Sequence, residues 1–306
     1  MRAYIVGWFV VAAFSQSICA QEKIAITPRA RKETALAMRA NVRADVRLVQ
    51  IPVTVADSRG APVLGLERAN FRLFEDDVER PIGALSVSDE PASVGVVFDS
   101  SRSMKPRMDD SRAALDQFLQ TGGAFDEFFL VRFSDGAELL APFTKDPNEI
   151  FRALTGVEAK GWTALNDALL LAIQHVRKGR YQRRVLVVLT DGNDNNSRYS
   201  EAELITILRE ADVRVYAISL FDRSRFLQRI CEESGGRAIW VRRMADLPSA
   251  MEELSNQIRS EYVVSYTPGA LDNDGRYHRV RVEVQPPPGV AKVYPAWRHG
   301  YMAPEE

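Results

Sequence analysis

The apolar positions of this chain follow two rhythms. Val49, Ile51, Val53 and Val55 alternate with Gln50, Pro52 and Thr54, and near the other end His278, Val280, Val282 and Val284 step two by two. A period of two puts one set of side chains on one face of a strand. Asp57-Ser58-Arg59-Gly60 reads as a turn leading into a hairpin. Phe71 and Leu73 run into a second turn at Glu75-Asp76-Asp77, and Tyr262 to Tyr266 and Lys292 to Trp297 add further β segments. Both flanks are β, and the first is too small to close a core alone.

From about Pro91 to Gln257 the rhythm changes. Continuous apolar runs at Val94 to Phe98, Phe128 to Val131, Val185 to Leu189 and Val213 to Leu220 mark strands covered on both faces. Helical spacing fills the gaps at Met108 to Leu119, Ala164 to Val176, Glu201 to Glu210, Phe226 to Ser234 and Ala245 to Ile258. This alternation predicts an α/β fold with a doubly wound, mostly parallel sheet. Because the ends of a domain lie close together, that sheet is expected to be inserted in a small β-sandwich built from both flanks. The expected organisation is 1–20 as a signal peptide, 21–44 as a linker, 45–90 as the first half of the sandwich, 91–258 as the α/β domain and 259–302 as the second half.

Composition changes this picture in two places. With 40 basic and 41 acidic residues and a net charge of −1, nothing global steers the chain toward nucleic acid or an anionic membrane, so specificity has to be local. At the start, Arg2, the apolar Ile5 to Phe14 and the small residues ending at Cys19-Ala20 fit a cleaved secretory signal. The apolar run falls short of the roughly 18 to 20 residues that span a bilayer, and Ile18 stands where lipidation of Cys19 needs a small side chain. The product is therefore expected to be exported, periplasmic or secreted, without a transmembrane segment. Cleavage leaves Cys231 alone, which rules out an internal disulfide and suits a buried small hydrophobe.

The candidate chemistry lies at the carboxyl ends of the buried strands, where open α/β sheets bind ligands. Val94 to Phe98 runs into Asp99-Ser100-Ser101-Arg102-Ser103, and Val185 to Leu189 runs into Thr190-Asp191-Gly192. Between them Gly161-Trp162-Thr163 leads into a helix. Asp99, Ser101, Ser103, Thr163 and Asp191 thus bring five oxygen side chains toward one crevice, an array suited to a hard divalent cation, Mg²⁺ first, with Mn²⁺ or Ca²⁺ as alternatives. Three neutral hydroxyls and two carboxylates would leave the ion electrophilic, able to accept a carboxylate from outside.

These residues resemble the metal-ion-dependent adhesion site of von Willebrand factor A domains: the D-x-S-x-S element, a threonine from a later loop and an aspartate after the fourth strand, over roughly residues 91 to 258. The flanking Val-Thr-Val-Ala-Asp, Phe-Arg-Leu-Phe-Glu-Asp-Asp and Arg298-His-Gly-Tyr301 are similar to the exported VWFA-related proteins of Acidobacteria. The resemblance implies that Ser101, Ser103 and Thr163 touch the metal directly or through water while Asp99 and Asp191 support them. It also implies that a partner's Asp or Glu completes the shell. The common pattern has glycine where this chain has Arg102, whose side chain is expected to fold outward into water.

Other readings of the same residues matter. Asp99 and the serines alone would suit a turn and a helix cap, and it is the ordered addition of Thr163 and Asp191 that points to metal. Asp191 to Asn196 superficially resembles a helix-loop-helix calcium loop, but Asn196 and Ala202 stand where that loop needs glycine and glutamate, which leaves Asp194 in a solvated rim loop. Asp167 is either an acceptor behind the site or a charge favoured at a helix start. Trp162 either joins the binding face or packs its loop.

Catalysis is not expected. Ser100, Ser101 and Ser103 would need a base, and His175, His278 and His299 fall on a distant helix and the β flank. There is no G-x-S-x-G elbow and no phosphate loop. The sequence therefore points to an exported adhesion or scaffolding protein that grips a partner carboxylate through a divalent cation. The alternative is a structural envelope protein in which the metal only stabilises the fold.

Overall fold

The computed structural model describes residues 48–88, 90–123, 125–269 and 274–304. The expected signal peptide and linker lie outside the described residues. The chain opens with β1 (Val49–Ala56), β2 (Phe71–Glu75), β3 (Val78–Arg80), β4 (Ile82–Ser88) and β5 (Ala92–Asp99). A short 3₁₀ turn at Arg102–Arg107 leads into α1 (Met108–Gln120), followed by β6 (Glu127–Phe133), β7 (Ala137–Thr144), α2 (Pro147–Thr155) and α3 (Leu165–Val176). Then come β8 (Arg183–Thr190), α4 (Glu201–Glu210), β9 (Arg214–Leu220), α5 (Arg225–Ser234), β10 (Ala238–Val241) and α6 (Leu247–Arg259). The chain returns through β11 (Glu261–Tyr266), β12 (Tyr277–Val284), β13 (Tyr294–Trp297) and β14 (Gly300–Met302).

The central sheet has the order β10-β9-β8-β5-β6-β7 and is parallel except for β7, which runs antiparallel to β6. Every residue of β5 is buried, as a strand sandwiched between helix layers requires. On one face Val94, Val96 and Phe98 pack with α1, α2 and α6. On the other, Val97 and Phe129 pack with α3, α4 and α5. Gly95 sits where any side chain would collide, since a Cβ there would lie 2.2 Å from the Phe129 ring and 2.6 Å from Leu186. Its lack of a side chain lets the Phe129 ring cross the middle of the sheet.

Two antiparallel four-stranded sheets, β13-β1-β11-β4 and β14-β12-β2-β3, flank this layer. Each mixes strands from before and after the α/β region. Alternation in the sequence becomes a shared core here: Ile51, Val53, Val55, Tyr262 and Val264 from one sheet meet Phe71, Leu73, Val280 and Val282 from the other. Glu75, itself buried, ties the two sheets together by accepting hydrogen bonds from Tyr266 (2.6 Å) and Tyr301 (2.8 Å) and pairing with Arg80 at 2.9 Å. Burial and these carboxylate contacts push the Tyr266 phenol well above its ordinary range.

Elements that sequence patterning did not anticipate are β7, α2 and β10 at the margins of the central sheet, and β3, β4 and β14 in the flanking sheets. β7 carries alternating, half-exposed residues, and β10 is four residues long. β7 lacks the continuous apolar run that marked the inner strands, and the short run of β10, Ala238-Ile239-Trp240-Val241, is buried only at Val241. Among the described residues no helix is long and apolar enough to cross a membrane.

One buried ion cluster joins the layers. Glu261, at the start of β11, pairs with Arg183 at 2.9 Å and with Arg214, the first residues of β8 and β9. All three side chains are almost wholly buried, so removing the carboxylate leaves two guanidiniums facing each other. Glu261→Ala is therefore expected to lower the unfolding free energy by about 3 to 5 kcal/mol, read from urea denaturation. A loss within 1 kcal/mol would mean that water reaches this junction.

Candidate metal centre

The order of the central sheet reverses at its middle. From β5 the chain steps outward to β6 on one side, and later returns to β8 on the other. The crevice opens where these neighbours end, at the carboxyl termini of β5 and β8.

Asp99 ends β5 and is fully buried. One of its oxygens accepts the backbone N–H of Ser101 at 2.7 Å, and the other accepts the hydroxyl of Thr190, across the strand pair, at 2.6 Å. Burial, the largest effect, raises its pKa; the hydrogen bonds from Thr190 and Ser101 work against this, and the charge of Asp191 adds to the rise. With both oxygens engaged, Asp99 forms the floor of the crevice rather than its mouth.

Ser101 and Ser103 stand above that floor with their hydroxyl oxygens 3.0 Å apart. Ser103 donates to Asp191 Oδ1 at 2.7 Å. The loop carrying Thr163 is tied on three sides: Ala164 N–H donates to the Ser134 carbonyl, Arg102 N–H to the Gly161 carbonyl, and Thr163 N–H to Asn195 Oδ1 at 2.8 Å. Thr163 is buried, and a Cβ placed on Gly192 would lie 3.8 Å from its hydroxyl. The structure therefore brings Asp99, Ser101, Ser103 and Asp191 into one hydrogen-bonded chain, which Thr190 anchors at Asp99, with Thr163 against the Asp191-Gly192 turn.

The donor set can be tested against a dication. Octahedral Mg²⁺ with bonds near 2.1 Å requires adjacent ligand oxygens about 3 Å apart, and the 3.0 Å spacing of the two serine hydroxyls meets that requirement. Among the described residues no three His, Cys, Asp or Glu side chains gather as a metal cluster. A cation held here would depend on hydroxyl oxygens, the donors that hard cations accept alongside carboxylates and water.

Several neighbours have roles that the sequence left open. Asp167 accepts the N–H groups of Arg198 and Tyr199 at 3.0 and 3.2 Å, and its own N–H donates to Ser197. It holds the loop after Asp191 onto α3. Asp194 likewise accepts Asn166 N–H and the Ser197 hydroxyl, so this rim loop is pinned by its own polar side chains. Trp162 is 65% exposed and belongs to the outer face. Arg102 is exposed to water. Cys231 is buried, and burial raises its thiol pKa beyond the range where it ionises.

The three histidines lie elsewhere. His175 stacks on Phe143 and leans on Phe129, His278 bridges Asp76 and Asp274 in the sandwich, and His299 lies beside Trp297.

Four further residues shape the site. Thr190, Asn195 and Asp135 hold Asp99, Thr163 and the Trp162 N–H respectively. Arg107 pairs with Asp191 and donates to the Ser103 carbonyl at 2.5 Å. Ser134 and Asp135 had a signal available, since they follow β6, the neighbour of β5, and so belong at the same edge of the sheet. Arg107 had none.

Residues 94–193 match the family model of the von Willebrand factor type A domain. The chain is similar to bovine inter-alpha-trypsin inhibitor heavy chain H4, 27% identical over 210 residues that cover 61% of this chain and 23% of that protein. The match thus spans about a quarter of the relative's length. Among solved structures, the von Willebrand factor type A protein from Catenulispora acidiphila aligns with a TM-score of 0.51 at 15% identity, covering 77% of this chain and 74% of that one. Proximal thread matrix protein 1 from the mussel byssus, with a zinc-occupied MIDAS motif, aligns with a TM-score of 0.52 at 20% identity over 60% of this chain and 50% of that one. Both show the likeness of fold.

Gly161 gives a test of how the Thr163 loop is set. Its φ is +78°, and a Cβ would lie about 2.5 Å from the Asp135 carboxylate that caps Trp162. Gly161→Ala is expected to cost about 1 to 3 kcal/mol in stability and to shift Trp162 fluorescence. An unchanged emission spectrum together with unchanged thermal unfolding would show that the loop does not depend on this turn.

Proposed function

The central domain of this chain is a von Willebrand factor type A domain, and on that premise we propose that it binds a protein partner through a divalent cation held by Ser101, Ser103, Thr163, Asp99 and Asp191. The observation that carries this reading is the hydroxyl pair of Ser101 and Ser103, 3.0 Å apart, linked to Asp191 and set above the buried Asp99. Its occupant is assigned as Mg²⁺, with Mn²⁺ and Ca²⁺ as alternatives. The zinc-occupied motif of the byssus protein, a relative in fold, supports a dication in this kind of site.

Bound there, the ion supplies a Lewis acid with an open position for a carboxylate oxygen. The protein's own residues do the rest. Asp99 fixes the Ser101 backbone, Asp191 orients the Ser103 hydroxyl, and the Gly161 to Thr163 loop carries the threonine to the rim. The partner is assigned as a protein presenting Asp or Glu, and the role as adhesion or scaffolding rather than catalysis. Residues 45–90 and 259–302 are assigned as the two halves of the supporting sandwich and 91–258 as the inserted domain. The Arg2 to Ala20 pattern supports export to the periplasm or beyond.

The test is calorimetric titration of Mg²⁺ and Mn²⁺ into the protein and into Thr163→Ala and Asp99→Ala, paired with capture of a native-envelope partner with and without chelator. Both variants are expected to lose at least about tenfold in metal affinity, and chelation to abolish capture. At a hundredfold excess over Kd the metal should raise the unfolding free energy by about 2.7 kcal/mol. Metal-dependent stability with chelator-resistant capture would instead assign the ion a purely structural role. No binding of either ion to the folded protein would refute the proposal outright.

A further inference from the structure

Arg107 ends the 3₁₀ turn that carries Ser103, and its guanidinium is held on three sides. It pairs with Asp191 Oδ2, donates to the Ser103 carbonyl at 2.5 Å, and lies over the Phe221 ring, 4.4 Å from its centre. Both oxygens of Asp191 are thereby engaged, one by the Ser103 hydroxyl and the other by Arg107, and its side chain is 2% exposed. Phe221 follows β9 with φ +64°, in the left-handed region that a bulky residue enters only when its surroundings force it. Its N–H donates to the Val241 carbonyl at 2.7 Å, and the cost of that backbone goes into placing an aromatic face beneath the cation.

The charges decide what this arrangement does. Asp99 and Asp191 bring two negative charges to the crevice, and Arg107 cancels one of them at Asp191. A dication entering a crevice of net charge −1 leaves a centre of +1; without Arg107 the same ion would leave a neutral one. We infer that Arg107 is a specificity-determining residue of this site, a fixed cation that loosens the hold on the metal and keeps the bound ion attractive to an anionic partner group. The inference rests on the metal-binding reading above. It requires removal of the charge to move two affinities in opposite directions, which a merely structural role for the side chain would not do.

The experiment compares the full chain with Arg107→Gln and Arg107→Lys. Mn²⁺ affinity is measured by electron paramagnetic resonance, and acetate is then titrated against the water relaxivity of the bound Mn²⁺. Arg107→Gln is expected to bind Mn²⁺ about tenfold more tightly and to need about threefold more acetate to displace the metal-bound water. Arg107→Lys, which keeps the charge and loses the planar fork, should stay near the wild type in both.

Wild-type binding with no gain in Arg107→Gln would overturn the role of Arg107 and leave the metal reading standing. If Lys behaves as Gln does, the effect is one of packing and the charge argument falls. Failure of all three proteins to bind Mn²⁺ while remaining folded by circular dichroism removes both readings.

Discussion

The hydrogen bond between Thr190 and Asp99, 2.6 Å long and closed to water, is the contact on which the crevice depends. A carboxylate at the end of a fully buried strand is tolerable only if its lone pairs are satisfied. Asp99 meets that condition with the Ser101 N–H on its own strand end and the Thr190 hydroxyl on the neighbouring strand. Two strands that arrive from opposite directions of the winding are thereby registered at their carboxyl ends. Ser101 and Ser103 on one side, and Asp191 on the other, then cannot avoid one another.

Much of this was legible in the sequence because buried parallel strands leave an unmistakable mark. The runs at Val94, Phe128, Val185 and Val213 are apolar throughout since helices cover both faces, and the polar residues that terminate them must lie at one edge of the sheet. The sandwich was legible for the opposite reason. Ile51, Val53 and Val55 alternate with residues that face away from the shared core, and the partner residues Val280 and Val282 do the same more than 200 positions later. What sequence could not supply was pairing across the molecule. The Asp191 to Arg107 contact joins positions 84 apart, and no periodicity links a residue preceding α1 to a loop following β8. The marginal β7, α2 and β10 escaped because they are short or mostly half-exposed: α2 spans nine residues and buries Ile150 and Leu154, β7 buries only Ala141, and β10 is four residues long and buries only Val241, so that their stability comes from neighbours already in place.

The placement of the sandwich follows from the same economy of buried charge. Glu261 begins β11 directly after α6 and meets the first residues of β8 and β9, at the end of the sheet opposite the crevice. The guanidiniums of Arg183 and Arg214 would be costly there without it. One carboxylate thus fixes where the returning chain leaves the α/β layer and enters the β flank.

A dication with an open position accepts almost any accessible carboxylate, so the metal alone cannot distinguish one acidic partner from another. Discrimination must come from groups that touch the partner around that carboxylate. The loops at the carboxyl edge hold Trp162, Tyr199 and Phe221 exposed to 65%, 42% and 40% of their surface. Aromatic side chains left in water at such a place add contact area at little entropic cost. Their positions are set by the polar network behind them: Asp135 holds the Trp162 N–H, Asp167 the Tyr199 N–H, and the Val241 carbonyl the Phe221 N–H. On the proposed reading, recognition is divided: hydroxyls and carboxylates inside the crevice hold the ion, and rigidly mounted aromatics outside it choose what the ion grips.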